Sequence, residues 1–508
     1  MAAYTIWIDM EDIFQYAAHN RRPSGIQRQV YEILQVLQGC IPRPEDVRIG
    51  YVRKGADGDP ACIVSAQDVE NLFASLADDE IASVSGLSRK NPSSKQARRK
   101  NFSLKSVNAK AVAFRQFNSL RHALIRKFEQ MPEPVGRPLL RAGTLQMRVL
   151  RMIRDLRNQS AVRHSASGEN SPVRMPQSGR GSAASLPRPH GMKPDDIFLV
   201  MGAAWADAAF GERLHAVRKS YGLKPVLLIY DLIPLTCPEW FPPQVVSTFS
   251  AWLENVIPQC SDIMVISHAT KKDVQDFLVQ RSLRLNRAPW VVPMGGGFGD
   301  MSVATSGPEA PGLPPAKSYV LFVSTLEARK NHILMFQVWA RLLREKAYTD
   351  VPTLVFAGRP ASMVEDLMQQ MENTDYLDGK VRLIREPSDE ELRCLYKNCL
   401  FTVFPSLYEG WGLPVTESLL FGRPCVASNV TSIPEAGGDF ARYFDPYDFE
   451  TVYDTICRTI EDREGLKAWE DQIRKNFRPT PWSDTAKAIL QSCEVAHQSS
   501  QPTLRRAG

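Results

Sequence analysis

The 508-residue sequence predicts an α/β protein built from two doubly wound domains, the first carrying a basic insertion. Three observations point there. Short apolar runs rich in β-branched residues alternate with amphipathic stretches, the pattern of parallel strands covered on both faces by helices. The alternation occurs twice, on either side of a Pro-, Gly- and Ser-rich linker at 301–316,. The net charge of +6 hides an asymmetry: residues 86–193 hold 23 Lys or Arg against four acids, leaving the rest of the chain at −13. Such a contrast marks an inserted segment with a partner of its own.

In chain order, "YTIWIDM" reads as a first buried strand. "PSGIQRQVYEILQVLQGC" is a loop feeding an amphipathic helix with Ile26, Val30, Ile33, Leu34 and Leu37 on one face,. Beyond the insertion, "DIFLVMGAAW", "PVLLIYDLIP" and "DIMVIS" are strands, and "FPPQVVSTFSAWLENVIPQC" is helical. "PWVVPMGGGFGD" closes a first domain over 1–300. A second domain over 317–480 offers five strands, "SYVLFVST", "TLVFAG", "VRLIRE", "LFTVFP" and "PCVAS", separated by helices such as "HILMFQVWARLLREK" and "SDEELRCLYKNC". A helix at 481–495 is placed to cross back to the first domain, with 496–508 as a tail. Two such domains leave a cleft at the C-terminal ends of their strands, where ligands of open α/β sheets bind.

Composition excludes several classes. At 44% apolar residues the chain can bury two or three cores,. Its nine cysteines form no CxxC pair, which fits reduced thiols,. The N-terminus has acids where a signal peptide needs Lys or Arg, and no stretch reaches the ~18 apolar residues of a spanning helix, so a cytoplasmic protein is expected. Its eight histidines include no HxxxH, and zinc is not expected,. "DGD" at 57–59 lies in a Gly/Pro turn and is not taken as a metal site. In the insertion, "FSLKSVNAKAVAFRQFNSLRHALIRKF" and the arginines at 148, 151, 154 and 157 form basic amphipathic stretches, suited to an anionic membrane surface,. A helical pair packed on the core is the competing reading. The following Ser/Pro/Gly/Arg-rich stretch has the composition of disorder. Nucleic acid is not expected, because interleaved aromatics and a recognisable nucleic-acid fold are missing.

One stretch concentrates the chemistry. "LYEGWGLPVTE" at 407–417 follows a strand and opens a helix, with Pro414 in its first turn and Gly422 just past its end,. Gly410 and Gly412 let the backbone press against a ligand. The helix N-terminus suits a phosphate or sugar oxygens. Glu417, expected within the first turn, and Glu409, in the loop, flank that anion site with carboxylates for hydroxyl groups. In "VSTLEARKNHILMF", Arg329 and Lys330 stand at another strand mouth, where a diphosphate would need neutralising,. A dipole-stabilised glutamate and a solvated charge pair are the plain structural alternatives.

"SLYEGWGLPVTESL" followed by "GRPCVASNVTSIPEAGGDFARYFDP", with "VSTLEARKNH" upstream, resembles the retaining glycosyltransferases of the GT-B fold called family four. The likeness is greatest to bacterial mannosyl- and rhamnosyltransferases that build surface polysaccharides. It covers nearly all of 317–495 and, in the first half, "RPSGIQRQV", "LLIYDLIPL" and "SDIMVISHATKKDV". The resemblance implies that Glu409 contacts the transferred sugar, that Gly412 and Leu413 hold its hydroxyls or the distal phosphate, and that Glu417 binds the ribose. It implies the diphosphate for Arg329 and Lys330, and a glycine loop near the phosphates for Ser24 and Gly25. Asp231 follows Tyr230, where relatives often have histidine, and relatives often carry arginine near Thr325. The implied donor is a nucleotide-diphosphate sugar, used without metal or cofactor, and the acceptor a glycan or polyprenyl-linked glycan at the inner face of the membrane. Two other classes remain open: a sugar-nucleotide epimerase or hydrolase on the same scaffold, and an inactive GT-B binding protein.

Overall fold

The computed structural model describes residues 4–20, 25–39, 47–55, 59–77, 189, 191–285, 287–297, 312–347, 350–499 and 504–506. These belong to one compact unit, Met1–Ala82 with Ser185–Gly508. Nearly all of the insertion at 86–193 lies outside the described residues, and so do Ser24 and Asp57.

The first sheet contains β1 (Tyr4–Asp9), β2 (Val47–Arg53), β3 (Cys62–Val64), β4 (Ile197–Val200), β5 (Lys224–Ile229), β6 (Asp262–Val265) and β8 (Trp290–Val291) in the order β3-β2-β1-β4-β5-β6-β8. All neighbours pair parallel except β2 and β3. The second contains β9 (Tyr319–Val323), β10 (Thr353–Ala357), β11 (Val381–Ile384), β12 (Thr402–Phe404), β13 (Cys425–Ser428) and β14 (Arg442–Phe444), parallel throughout, in the order β11-β10-β9-β12-β13-β14. Each order runs outward from its first strand, returns, and runs out the other way. The reversal lies between β1 and β4 in one sheet and between β9 and β12 in the other. This is the doubly wound plan, with a crevice at the reversal.

The strands form because their side chains are buried on both faces: β4 and most of β9 and β10 are buried at every position. Each such Val, Leu, Ile or Phe contributes roughly 1.5–3 kcal/mol relative to exposure. The Trp482–Gln498 helix lies against the first sheet, with Ala486, Ile489, Cys493 and Ala496 in the same core as Ile6, Leu199 and Met264. Thr485 donates to the Pro293 carbonyl, and Trp482 Nε1 to that of Gly297. The helix runs three residues past the expected end at 495, because Ala496 still has core to cover. The expected tail supplies β15 (Leu504–Arg506), antiparallel to β7 (Leu283–Leu285).

Candidate functional site

Two loops meet at the β9/β12 reversal. After β9, the chain makes a short turn over Ala328–Lys330 and enters the His332–Glu345 helix through Asn331, whose φ is 62°. After β12, residues 405–412 lead into the Leu413–Leu420 helix. The loops are stitched together: Leu407 N–H donates to the Arg329 carbonyl at 2.9 Å, and Asn331 Nδ2 to that of Pro405 at 3.3 Å. Gly412, at φ 120°, makes the turn into the helix in a region closed to most side chains,. Gly410 is required by contact instead: a Cβ there would lie 2.4 Å from the Tyr230 carbonyl oxygen of the first domain.

The structure brings Glu409, Arg329 and Lys330 into one buried cluster. Lys330 Nζ stands 2.5 Å from Glu409 Oε1, and Arg329 Nη1 2.9 Å from Oε2. The guanidinium also donates to the Tyr408 carbonyl at 2.6 Å and pairs with Glu327 at 2.6 Å. A solvated charge pair is therefore excluded, since side-chain exposure is 13% for Arg329 and 14% for Lys330. Burial alone would raise the Glu409 carboxyl, but Arg329 and then Lys330 overcome it and hold it at about 2,. Burial and the neighbouring Arg329 push Lys330 below its ordinary value, against the pull of Glu409. The result is a fixed carboxylate between two cations, a field prepared for a ligand carrying both hydroxyl groups and negative charge.

Glu417 is the fifth residue of its helix, just beyond the first turn where sequence placed it. The helix begins at Leu413, because Gly412 still has left-handed geometry. Its Oε2 accepts from the Tyr396 hydroxyl at 2.6 Å, and burial raises the carboxyl to about 7 despite that bond. It lines a pocket with Arg28, Leu413 and Trp482. Gly25 opens the Gly25–Gly39 helix within 3.9 Å, by its Cβ direction, of Leu413 Cδ1. Two helix N-termini from different domains thus converge beside Glu417, and the positive ends of their dipoles suit phosphate oxygens,.

The remaining sites lie around this centre. Asp231 accepts from the Ile233 amide at 3.1 Å, and burial raises its carboxyl within electrostatic reach of Arg329, Glu409 and Lys330. Tyr230 is buried, with no hydrogen-bond partner for its hydroxyl. Thr325 is half-buried at the end of β9, its carbonyl accepting from Ser324 Oγ. His332, inside the same motif, is a neutral core residue: it stacks on Phe322, and burial lowers it to about 3.

Sequence reading missed the residues that hold the loop. Glu409 N–H donates to Thr431 Oγ1, and Ser432 Oγ donates to the carbonyls of Glu409 and Trp411. The adjacent Thr-Ser in "NVTSIPEAGG" was the available signal, because short hydroxyl side chains bond nearby backbone groups,. Nothing in the sequence tells which distant loop they serve. Among the described residues, no group of three His, Cys, Asp or Glu could hold a metal ion. No helix among them is long and apolar enough to cross a membrane.

Fold and site together define a two-domain α/β protein with a buried carboxylate–cation cluster at the reversal of its second sheet. Residues 306–476 match the family model of glycosyl transferases group 1. The O-antigen chain mannosyltransferase B of Escherichia coli is 27% identical over 251 residues, covering 47% of this chain and 62% of that protein. The MMP alpha-(1->4)-mannosyltransferase of Mycolicibacterium hassiacum is 34% identical over 125 residues, 24% of this chain and 29% of that one. The GDP-mannose:cellobiosyl-diphosphopolyprenol alpha-mannosyltransferase of Komagataeibacter xylinus is 28% identical over 112 residues, 22% and 28% respectively. The chain thus spans less than two thirds of the length of each of these relatives.

Proposed function

We propose that this protein is a retaining glycosyltransferase of family four that moves mannose from a nucleotide-diphosphate sugar, GDP-mannose as first choice, to a glycan or polyprenyl-linked glycan in surface polysaccharide synthesis. The observation that carries the reading is the Glu409, Arg329 and Lys330 cluster at the β9/β12 reversal. The names of the relatives, two mannosyltransferases of O-antigen and polyprenol-linked glycans among them, support the sugar and the acceptor class. Glu409 would hold hydroxyls of the transferred sugar, with the amides of Gly412 and Leu413 beside it. Glu417 would accept from the ribose, and Ser24 and Gly25 would approach the phosphates. As the bond to the leaving phosphate lengthens, negative charge grows there, and Lys330 and Arg329 stabilise it from fixed positions. The same phosphate oxygen takes the acceptor proton on the face where the new bond forms, so no protein nucleophile is required. With two cations and helix amides available, no metal is needed.

A panel of nucleotide sugars, assayed with and without EDTA, tests this. GDP-mannose should be turned over in chelator, and Lys330→Ala should cut turnover on the order of a hundredfold. Near-normal turnover in the variant would sink the site assignment. Loss in EDTA restored by manganese would overturn the metal-free part.

A further inference from the structure

The His268–Gln280 helix belongs to the first domain, directly after β6, yet its first turn is capped from the second. Glu435 accepts from the His268 amide at 2.8 Å and the Ala269 amide at 2.9 Å. Ser267 takes the next two, through its hydroxyl from Thr270 and its carbonyl from Lys271. The Lys271 bond is the first regular i→i−4 bond of the helix, so the amides of His268, Ala269 and Thr270, which a helix start leaves unpaired, are all satisfied, two of them by a carboxylate from across the cleft,. Further along the helix, Asp273 accepts from the Tyr408 hydroxyl, which stands 2.8 Å from both carboxylate oxygens.

Both cross-domain contacts lead back to the loop that holds Glu409. Tyr408 precedes Glu409 and lends its carbonyl to Arg329. Glu435 follows Thr431 and Ser432, which hold the backbone of residues 409 and 411. One helix of the first domain thus holds the donor loop directly at Tyr408 and indirectly through the segment Thr431 to Glu435. Asp273 and Glu435 are half-buried, so water can take their place when the domains part, at a modest cost that makes the grip reversible,.

We propose that Asp273 and Glu435 are positioning residues that couple closure of the two domains to the placement of Glu409, a role that rests on the glycosyltransferase reading. Neither touches the donor. They act by holding the loop between Tyr408 and Gly412 when the domains are together and releasing it when they separate.

The test uses the intact protein. Small-angle scattering without ligand should give a larger radius of gyration for the Tyr408→Phe/Glu435→Ala double variant than for the wild type. With GDP-mannose, kcat should fall about tenfold, the equivalent of one or two net hydrogen bonds, while the donor KM stays within about twofold. Glu435→Gln, which keeps one acceptor oxygen, should recover part of the kcat. Gln275→Ala, exposed on the same helix, should match the wild type in both measurements. An unchanged radius and kcat in the double variant would overturn the proposal, and so would a raised donor KM with unchanged kcat. Scattering needs no substrate, so a wild type that transfers no sugar would sink the donor reading alone.

Discussion

At the scale of single residues, the two glutamates of the motif are shifted in opposite directions. Glu409 sits against two cations and stays ionised down to about 2, whereas burial raises Glu417 to about 7 against the Tyr396 hydroxyl and the charge of Arg28. A carboxylate that accepts from two ribose hydroxyls must be ionised. Donor affinity should therefore weaken as pH falls below about 7, approaching tenfold per unit. The stability sign is reversed: the folded protein holds an extra proton between the usual 4.5 and about 7, so the free protein loses stability as pH rises through that window,. Nucleotide-sugar binding measured from pH 5.5 to pH 8 checks the first and unfolding of the free protein from about pH 4.5 to pH 7 the second, with Glu417→Gln expected to give a flat profile in both,. A flat wild-type profile would separate Glu417 from the ribose. The motif made these residues legible because their types and spacing are specific. Their charge states were not, since Lys330 and Glu409 are 79 positions apart and only the fold sets their burial.

At the scale of elements, the loop from Tyr408 to Gly412 works because it lies flush against the turn after β5. Adding a methyl group at Gly410 would put it 2.4 Å from the Tyr230 carbonyl oxygen and 3.0 Å from Asp231 Cβ. Both atoms belong to the other domain, so the strain can be relieved by parting the domains without unfolding either. Gly410→Ala should thus cut kcat on the order of tenfold or more while moving Tm by no more than about 3 °C. Gly39→Ala, with nothing near its Cβ direction, is the control. A large Tm loss in Gly410→Ala would mean the contact is part of the folded core rather than of closure. The elements that were legible are those with long apolar runs, such as β5 and β9. The ones missed are β2, whose "VRIGYVR" carries arginine at 48 and 53, and the short β3, β7, β8, β14 and β15, whose two or three residues are too few to show an apolar pattern.

At the scale of the whole molecule, repetition was the legible signal. Two rounds of strand and helix gave two sheets whose first six strands share one order, the first sheet extended by β8, and the Trp482–Gln498 helix returns to the first core. The basic insertion interrupts the first round between Ala66–Ala77 and β4, away from every residue of the donor cluster in sequence. Its charge is separable from the fold, and so is its proposed partner, an anionic membrane surface presenting a lipid-linked acceptor. Each Lys or Arg near such a surface contributes roughly 1 kcal/mol, and salt screens that attraction over about a Debye length. An exchange of 86–184 for a short Gly/Ser linker leaves Met192 in the core, where it is 5% exposed. The shortened protein should bind nucleotide sugar as the intact one does and fail to sediment with anionic vesicles at low salt. Its transfer to a lipid-linked acceptor should slow far more than transfer to a soluble analogue. Equal sedimentation of the two proteins would remove the membrane reading and leave the positive charge facing a protein partner or a second copy. A parallel loss on both acceptors would instead tie the segment to the transfer step itself.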